Sequence, residues 1–400
     1  MNLRLLRMSE GAHSTSLVHS PFTVELVDTL EGLRALRNEW AALYSTTDGL
    51  NPFMTWDWAW QWWQAFGRSS GVVRDRWHIL VFRDEQGVIR AIAPLVLTVF
   101  GYGWLAVRAL RLFGFGSMFV ELRTLLVEPG WEGMALQALT NRLLAERHAY
   151  HWCVLDGVAR LDGLSIQAAN EGTAGRWAMH GEMPDYVLHL PATWEALRAG
   201  MKRNIKESLR HCYNSLARDK HEWRFEVVAD PAELPAALTE FMNLHGARAT
   251  ADLGPEHPNY YEDSKGSVFI QRMAEIMSRD GQFMVCRLRI NGAIVASRIA
   301  FIAGSSVYLY HSGFDPAWAR YSVMTTLTAE IIKMAITRGA RLVNLSTWNH
   351  VSKTRWGPEE HMSYTLRMTT PTLTGKLLFK VYRRAYGLRQ AGQYKTLPDS

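Results

Sequence analysis

The sequence predicts an α/β protein made of two related halves, each a mixed sheet with flanking helices. Three observations carry that prediction. Residues 283–346 alternate through successive extended stretches, change to helical spacing, and return to an extended run. Residues 77–155 repeat that order, extended stretches first, then a helix, then an extended run. The chain has 400 residues, 48% hydrophobic and 20% charged, which suits two globular units and excludes bulk disorder.

In chain order, residues 1–20 carry Gly, Ser, Thr and His without periodicity and predict a flexible tail. Phe22–Val27 predicts a short strand, and Thr29–Tyr44 an amphipathic helix with Leu30, Leu33, Leu36, Trp40 and Leu43 on one face. After Asn51-Pro52-Phe53 comes a Trp-rich helix, with Trp56, Trp60 and Trp63 on one face and Trp58 and Trp62 on another. Such a stripe is core packing or a domain interface more often than a substrate platform. Trp77–Phe82, Val88–Val99, Leu105–Phe113 and Phe119–Val127 read as extended, Trp131–Arg147 as a helix, and Trp152–Leu155 as a strand. Ala159–Pro184 is richer in Gly, Ala, Ser and Asn and predicts connecting structure.

The second half opens with a strand at Tyr186–Leu190 and a helix or helix pair at Trp194–Ala217. The apolar face of that helix holds Ile205, Leu209, Cys212 and Leu216; the opposite side carries Lys202, Arg203, Lys206, Arg210 and Arg218. A strand at Arg224–Val228 and helices at Ala232–Arg248 and Phe269–Arg279 follow, the helices flanking a polar loop. Phe283–Ile290 alternates as a half-buried strand, and Asn291-Gly292 predicts a tight hairpin because both residues tolerate positive φ. Ala293–Ile302 returns, and Val307–Gly313 makes a third strand. Asp315-Pro316 leads to a helix from Val323 that Gly339 stops, Arg341–Ser346 forms a final strand, and Trp348–Trp356 is a polar, aromatic loop. The boundaries expected are a tail at 1–20, halves at 21–185 and 186–372, and a basic helix and tail at 373–400.

A net charge of +6 favours anionic partners such as a cofactor phosphate, a nucleic acid or a membrane surface, and equally fits ordinary solubility charge. The cysteines number 3, at Cys153, Cys212 and Cys286, with no metal or disulfide spacing, so neither a zinc site nor a bridge framework is expected. Together with the lack of a secretory pattern or a spanning apolar run, this points to the cytoplasm.

The proton-handling candidates gather on one strand and beside it. Tyr308 and Tyr310 fall on one face by strict alternation and His311 on the other. His311 has the ordinary pKa of a general base, although an isolated His in an aromatic strand is more often structural. His350 offers a second imidazole, and Asp315 before Pro316 is a turn cap or a ligand contact.

The run Gly313-Phe314-Asp315-Pro316-Ala317-Trp318-Ala319-Arg320, the helix after it, and Lys353 with Trp356 resemble bacterial acetyltransferases associated with cellulose and exopolysaccharide biosynthesis. These are GNAT-superfamily acyltransferases that share their layout with the Fem-type peptidoglycan bridge transferases. The resemblance implies tandem GNAT-like units and acetyl-CoA or another acyl-CoA as cosubstrate, with no metal. It implies that the pyrophosphate lies at the start of the helix, on Arg320, Tyr321, Ser322, Val323, Met324 and Thr325. The usual glycine-rich signature is replaced there, so Arg320, Ser322 and Thr325 would supply side-chain donors instead. His245 and Arg248 match a Leu-His…Arg element, which adds His245 to His311, Tyr310 and His350 as catalytic candidates. Arg248, Asp315, Trp348, Lys353 and Trp356 become substrate-binding candidates. Acidic residues common in such proteins before the Lys…Trp pair are Asn344, Ser346 and Asn349 here. The expected activity is transfer of an acetyl or longer acyl group to an amine or hydroxyl of a sugar-linked or small polar acceptor in exopolysaccharide or envelope metabolism. Alternatives are aminoacyl transfer from tRNA, with the basic helix on phosphates, and a non-catalytic role in polysaccharide assembly. The C-terminal helix is a candidate for peripheral membrane contact.

Overall fold

Why each half can close its sheet follows from its helices: parallel neighbours need a long crossover, and each half supplies one. The structure is a computed structural model that describes residues 21–47, 51–159, 177–251 and 257–393. The tail expected at 1–20 lies outside the described residues, as do residues 160–176 of the expected connection and the end of the expected C-terminal tail. The strands are β1 (Thr23–Val27), β2 (Val73–Arg83), β3 (Ile89–Phe100), β4 (Val107–Leu112), β5 (Leu126–Val127), β6 (Trp152–Ala159) and β7 (Ala178–His189). The second set is β8 (Trp223–Val228), β9 (Phe283–Ile290), β10 (Ala293–Ala303), β11 (Ser306–Phe314), β12 (Leu342–Thr347) and β13 (Glu359–Thr369).

They form one sheet in the order β1-β2-β3-β4-β6-β13-β7-β12-β11-β10-β9-β8, with β5 on β3. Two pairings are parallel, β4 with β6 and β11 with β12, and the crossovers are the helices Glu132–Ala145 and Val323–Thr337. The same succession of antiparallel strands, helix and parallel strand therefore occurs twice, as expected from the sequence. The fold is a tandem of GNAT-like mixed sheets with flanking helices. The final strands change places: β13 lies between β6 and β7, and β7 lies between β13 and β12.

Three expectations are corrected, the first two by that exchange. The last strand of the chain is β13, not the run at 341–346, and Met362, Tyr364, Leu366 and Met368 alternate along it. Strand β7 begins at Ala178, inside the segment expected to be connecting structure. Phe119–Val127 is mostly irregular, with only Leu126–Val127 in a strand, because Gly114 and Gly116 adopt left-handed φ of 77° and 68° and turn the chain across the sheet.

Local signals that did hold have clear causes. Asn291 (φ 49°) and Gly292 (φ 86°) close the β9–β10 hairpin. Gly339 (φ 74°) ends the crossover helix, its N–H bonding to the Ile336 carbonyl at 2.9 Å. The Trp-rich helix, Trp56–Phe66, packs the two halves together. Trp58 is fully buried and meets Phe53, Phe269 and Phe301 edge-on at ring-centroid distances of 4.8, 5.5 and 5.4 Å. Burial of each such ring contributes about 1.5–3 kcal/mol, so this cluster fixes the halves relative to one another.

Candidate active site

Strands β11 and β12 hydrogen-bond only along their first residues, with Ser306, Val307 and Tyr308 facing Leu342, Val343 and Asn344. Beyond Tyr308 the pairing stops, which leaves an opening in the ladder at the middle of the sheet. Asn344 helps to turn β12 away: its side-chain oxygen accepts the Ser346 N–H at 2.7 Å, and its amide donates to Asp185 at 2.9 Å. Ser346 and Trp348 then take left-handed φ of 75° and 73°, a strained conformation for residues with side chains.

A carboxylate enters the opening from the other half. Glu121 lies in the loop after β4, and its Oε2 accepts hydrogen bonds from the Tyr308 hydroxyl and the Ser346 hydroxyl, each at 2.6 Å. Its Oε1 is 3.8 Å from His311 Nε2. Arg123 anchors the loop, donating to the carbonyls of Gly114 (3.2 Å), Val120 (2.6 Å) and Asp156 (3.2 Å) and pairing with the Asp156 carboxylate at 3.1 Å. Burial pushes the Glu121 carboxyl above its ordinary range, opposed by Lys353 and the two hydroxyls.

His311 stands next to Tyr310 rather than across the strand from it. Arg298 faces Ser312 and Ala300 faces Leu309, so Tyr310 and His311 together oppose Ile299. This β-bulge turns both rings to one side, stacked with centroids 3.8 Å apart, and overturns the alternation expected from the sequence. His311 Nε2 donates to the Met118 carbonyl at 3.2 Å, which leaves Nδ1 to accept from the Tyr261 hydroxyl at 2.6 Å. Burial, and then His245, hold His311 neutral well below the usual histidine range. Tyr310 is buried among Phe53, Trp58 and Phe301, and its hydroxyl has no hydrogen-bond partner among the described residues.

His245 ties the helix Leu234–Ala249 to β11. Its Nδ1 donates to the Ser312 carbonyl at 2.9 Å and its Nε2 accepts the Tyr260 N–H at 3.4 Å. Gly313 makes this contact feasible, since a Cβ there would overlap the backbone of Leu244 and His245. From the same helix, Arg248 donates to Ser312 Oγ at 3.1 Å. His350 caps the short helix Val351–Thr354, its Nδ1 accepting the Ser352 N–H at 3.2 Å. Burial and the charges of Lys353, Arg248 and Arg355 lower its pKa.

The residues expected to hold a cofactor phosphate divide into two groups. Ser322 adopts a left-handed φ of 52° and makes no side-chain cap, so the first N–H groups of the helix Val323–Thr337 lack a capping acceptor. Thr325 accepts a hydrogen bond from the Arg355 guanidinium, which brings a cation to that positive end. Arg320 instead turns to Tyr321, donating to its hydroxyl at 2.7 Å, and Tyr321 donates to Asp219 at 3.0 Å. Val323 is buried in the core and Met324 packs at its edge. Asp315 caps its turn, accepting the Ala317 N–H at 2.9 Å.

Among the substrate candidates, Lys353 donates to the Thr347 carbonyl and approaches Ser346 Oγ at 3.5 Å, and burial lowers its pKa to about 8. Trp348 is half-exposed at the rim, whereas Trp356 is buried in the core of the second half. Glu121, Ser346 and Arg298 are not among the residues that the sequence singles out. For Glu121 a signal exists: a lone carboxylate between Val120 and Leu122 in an apolar run must be hydrogen-bonded or functional. Among the described residues no group of three or more His, Cys, Asp or Glu side chains could hold a metal ion.

Residues 203–357 match the family model described as acetyltransferase (GNAT) domain. FemX has a similar structure, with a TM-score of 0.57 at 11% identity over 86% of this chain and 98% of that chain. A conserved protein of unknown function from Bacteroides thetaiotaomicron VPI-5482 superposes with a TM-score of 0.50 at 12% identity, over 87% of this chain and 100% of that one. No curated protein matches the sequence. At such identities the two structures speak for the fold alone. Residues 203–357 thus match an acetyltransferase (GNAT) domain, set in a tandem fold whose layout FemX shares.

Proposed function

We propose that the protein transfers an acetyl or longer acyl group from coenzyme A to an amine or hydroxyl of a sugar-linked or small polar acceptor, with Glu121 as general base. The observation that carries this reading is the Glu121 carboxylate in the opening between β11 and β12, held on one oxygen by Tyr308 and Ser346. Carboxylates expected from the resemblance are missing near Asn344 and Ser346, and Glu121 supplies one from the other half. Burial raises its affinity for a proton, which suits a base working near neutral pH.

When bound, coenzyme A supplies a thioester that is already activated toward a nucleophile. The uncapped N–H groups at Val323 and Met324, with Arg355 and Thr325, fit its pyrophosphate. The pantetheine arm would lie where the pairing of β11 with β12 ends, beyond Tyr308 and Asn344. Glu121 takes the proton from the acceptor through Oε1, which accepts no hydrogen bond among the described residues. His311, fixed by Met118 and Tyr261, supports the Glu121 loop and is a positioning residue in this scheme. Glu121→Gln should lower turnover by about 10²–10⁴-fold with acyl-CoA affinity unchanged. Unaltered turnover would remove Glu121 from the chemistry.

A role in exopolysaccharide or envelope metabolism rests on the likeness of residues 313–320 and of Lys353 with Trp356. The aminoacyl-tRNA alternative draws on the exposed Lys202, Arg203 and Arg210. No described helix is long and apolar enough to cross a membrane. Peripheral contact has support in the helix Leu373–Gln393, which has no acidic residue. It packs Phe379 and Tyr382 on Trp152 and leaves Leu373, Leu377 and Val381 exposed beside Lys376 and Lys380. Coenzyme A as donor and three buried free cysteines favour a cytoplasmic setting.

A further inference from the structure

Charges do not balance on the side of the opening that faces the crossover helix. Arg298 projects from the middle of β10, and its guanidinium reaches Thr328 Oγ1 at 3.4 Å and Ser312 Oγ at 3.5 Å. Its buried Nε has no hydrogen-bond partner among the described residues. Arg248 approaches the same Ser312 oxygen at 3.1 Å from a different element, the helix Leu234–Ala249. Among the described residues neither guanidinium lies in an ion pair with a carboxylate within 4.0 Å. Glu121 is close enough to act on Arg298 but is engaged by Tyr308 and Ser346.

Two guanidinium groups converging on one hydroxyl repel each other, and removing an unpaired cation from water is costly. Burial first, and Arg248 second, lower the pKa of Arg298 to about 10. A fold keeps such an arrangement when something else completes it. The Ser312 oxygen accepts from both arginines, so its own O–H is left to donate outward. Three donors then converge: two planar forks suited to oxyanions and one hydroxyl. Gly313, pressed against the helix backbone, holds this part of β11 in place.

We infer that Arg248, Arg298 and Ser312 form a binding site for a carboxylate or phosphate carried by a substrate, separate from the pyrophosphate of coenzyme A. The separation follows from position. The phosphate-binding features proposed above lie at Val323–Thr325 with Arg355, whereas Arg298 meets the crossover helix further along, at Thr328, and Arg248 belongs to another helix. Naming the ligand a substrate rests on the acyl-transfer reading; the anion site itself does not. The anion has two possible carriers, an acyl chain ending in a carboxylate or an acceptor bearing a carboxylate or phosphate.

The test uses the full chain and its Arg298→Met and Arg248→Met variants. Thermal melting is followed as chloride is replaced by orthophosphate at constant ionic strength, with and without saturating coenzyme A. The expected result is a saturable rise in Tm for the wild type, persisting with coenzyme A present and absent from both variants. Without phosphate, Arg298→Met should melt at or above the wild type, because a half-buried charge with no carboxylate paired to it among the described residues has gone. A wild type indifferent to phosphate, with Arg298→Met melting lower, would make the arginine structural and overturn the proposal. Loss of the phosphate response under saturating coenzyme A would assign the arginines to the cofactor and also overturn it. Phosphate binding without any coenzyme A binding would leave the anion site standing and sink the acyl-transfer reading. Calorimetry with succinyl-CoA and acetyl-CoA identifies the carrier. A preference of about tenfold or more for succinyl-CoA, lost in Arg298→Met, places the anion on the acyl group; equal affinities place it on the acceptor.

Discussion

Glu121 accepts a hydrogen bond from Ser346 at 2.6 Å across 225 residues of chain, which joins the loop of one half to the diverging strand of the other. The candidate site thus draws on both halves, with the carboxylate from one and the parting strands from the other.

A pH dependence follows from that carboxylate. A general base must be ionised to work, and burial raises the pKa of Glu121 above the ordinary 4.5. Turnover should therefore fall as pH drops through a value above that figure. In Glu121→Gln the residual rate should lose this limb. An acid limb that survives in the variant would belong to another group.

Lys353 predicts a trend in stability. Burial lowers its pKa from 10.5 to about 8, so between those values the unfolded chain binds more protons than the folded one. Stability contributed by this group therefore rises with pH across that window. Urea midpoints measured between pH 8 and 9.5, below the ordinary titration of tyrosine, should climb in the wild type relative to Lys353→Met. Identical slopes in both would show that the amine stays hydrated.

Gly313→Ala should destabilise by about 1–3 kcal/mol, since its Cβ meets the backbone of Leu244 and His245 instead of a flexible side chain. Denaturant unfolding measures this directly. A neutral substitution would mean that β11 and the helix Leu234–Ala249 are less closely apposed.

The C-terminal helix gives a prediction in a different assay. Vesicles containing an anionic lipid should retain the protein on sedimentation, and Leu377→Asp with Val381→Asp should abolish retention. Equal recovery with neutral vesicles would reduce the contact to a general apolar one.

Much of the second half was legible because its signals are local. Alternation marks β9, positive-φ residues mark the hairpin at Asn291-Gly292, and Gly339 stops a helix that side-chain spacing had already defined. Strand β13 carries a local signal in the alternation of Met362, Tyr364, Leu366 and Met368, but its place between β6 and β7 is set by long-range pairing that no local signal encodes. Alternation also fails at Tyr310 and His311, since a bulge is set by how β10 and β11 pair. Glu121 became meaningful only when the glycines at 114 and 116 had turned its loop toward β11 and β12. The histidines that sequence favoured as bases prove to have both ring nitrogens occupied at positions 245 and 311.

Calorimetric titration with acetyl-CoA, a longer acyl-CoA and free coenzyme A tests the central claim most directly, run on the wild type and on Arg355→Glu. The account predicts saturable binding by the wild type and its loss in the variant, where a carboxylate would replace the cation at the start of the helix Val323–Thr337. Folded wild type that binds none of the three would contradict it.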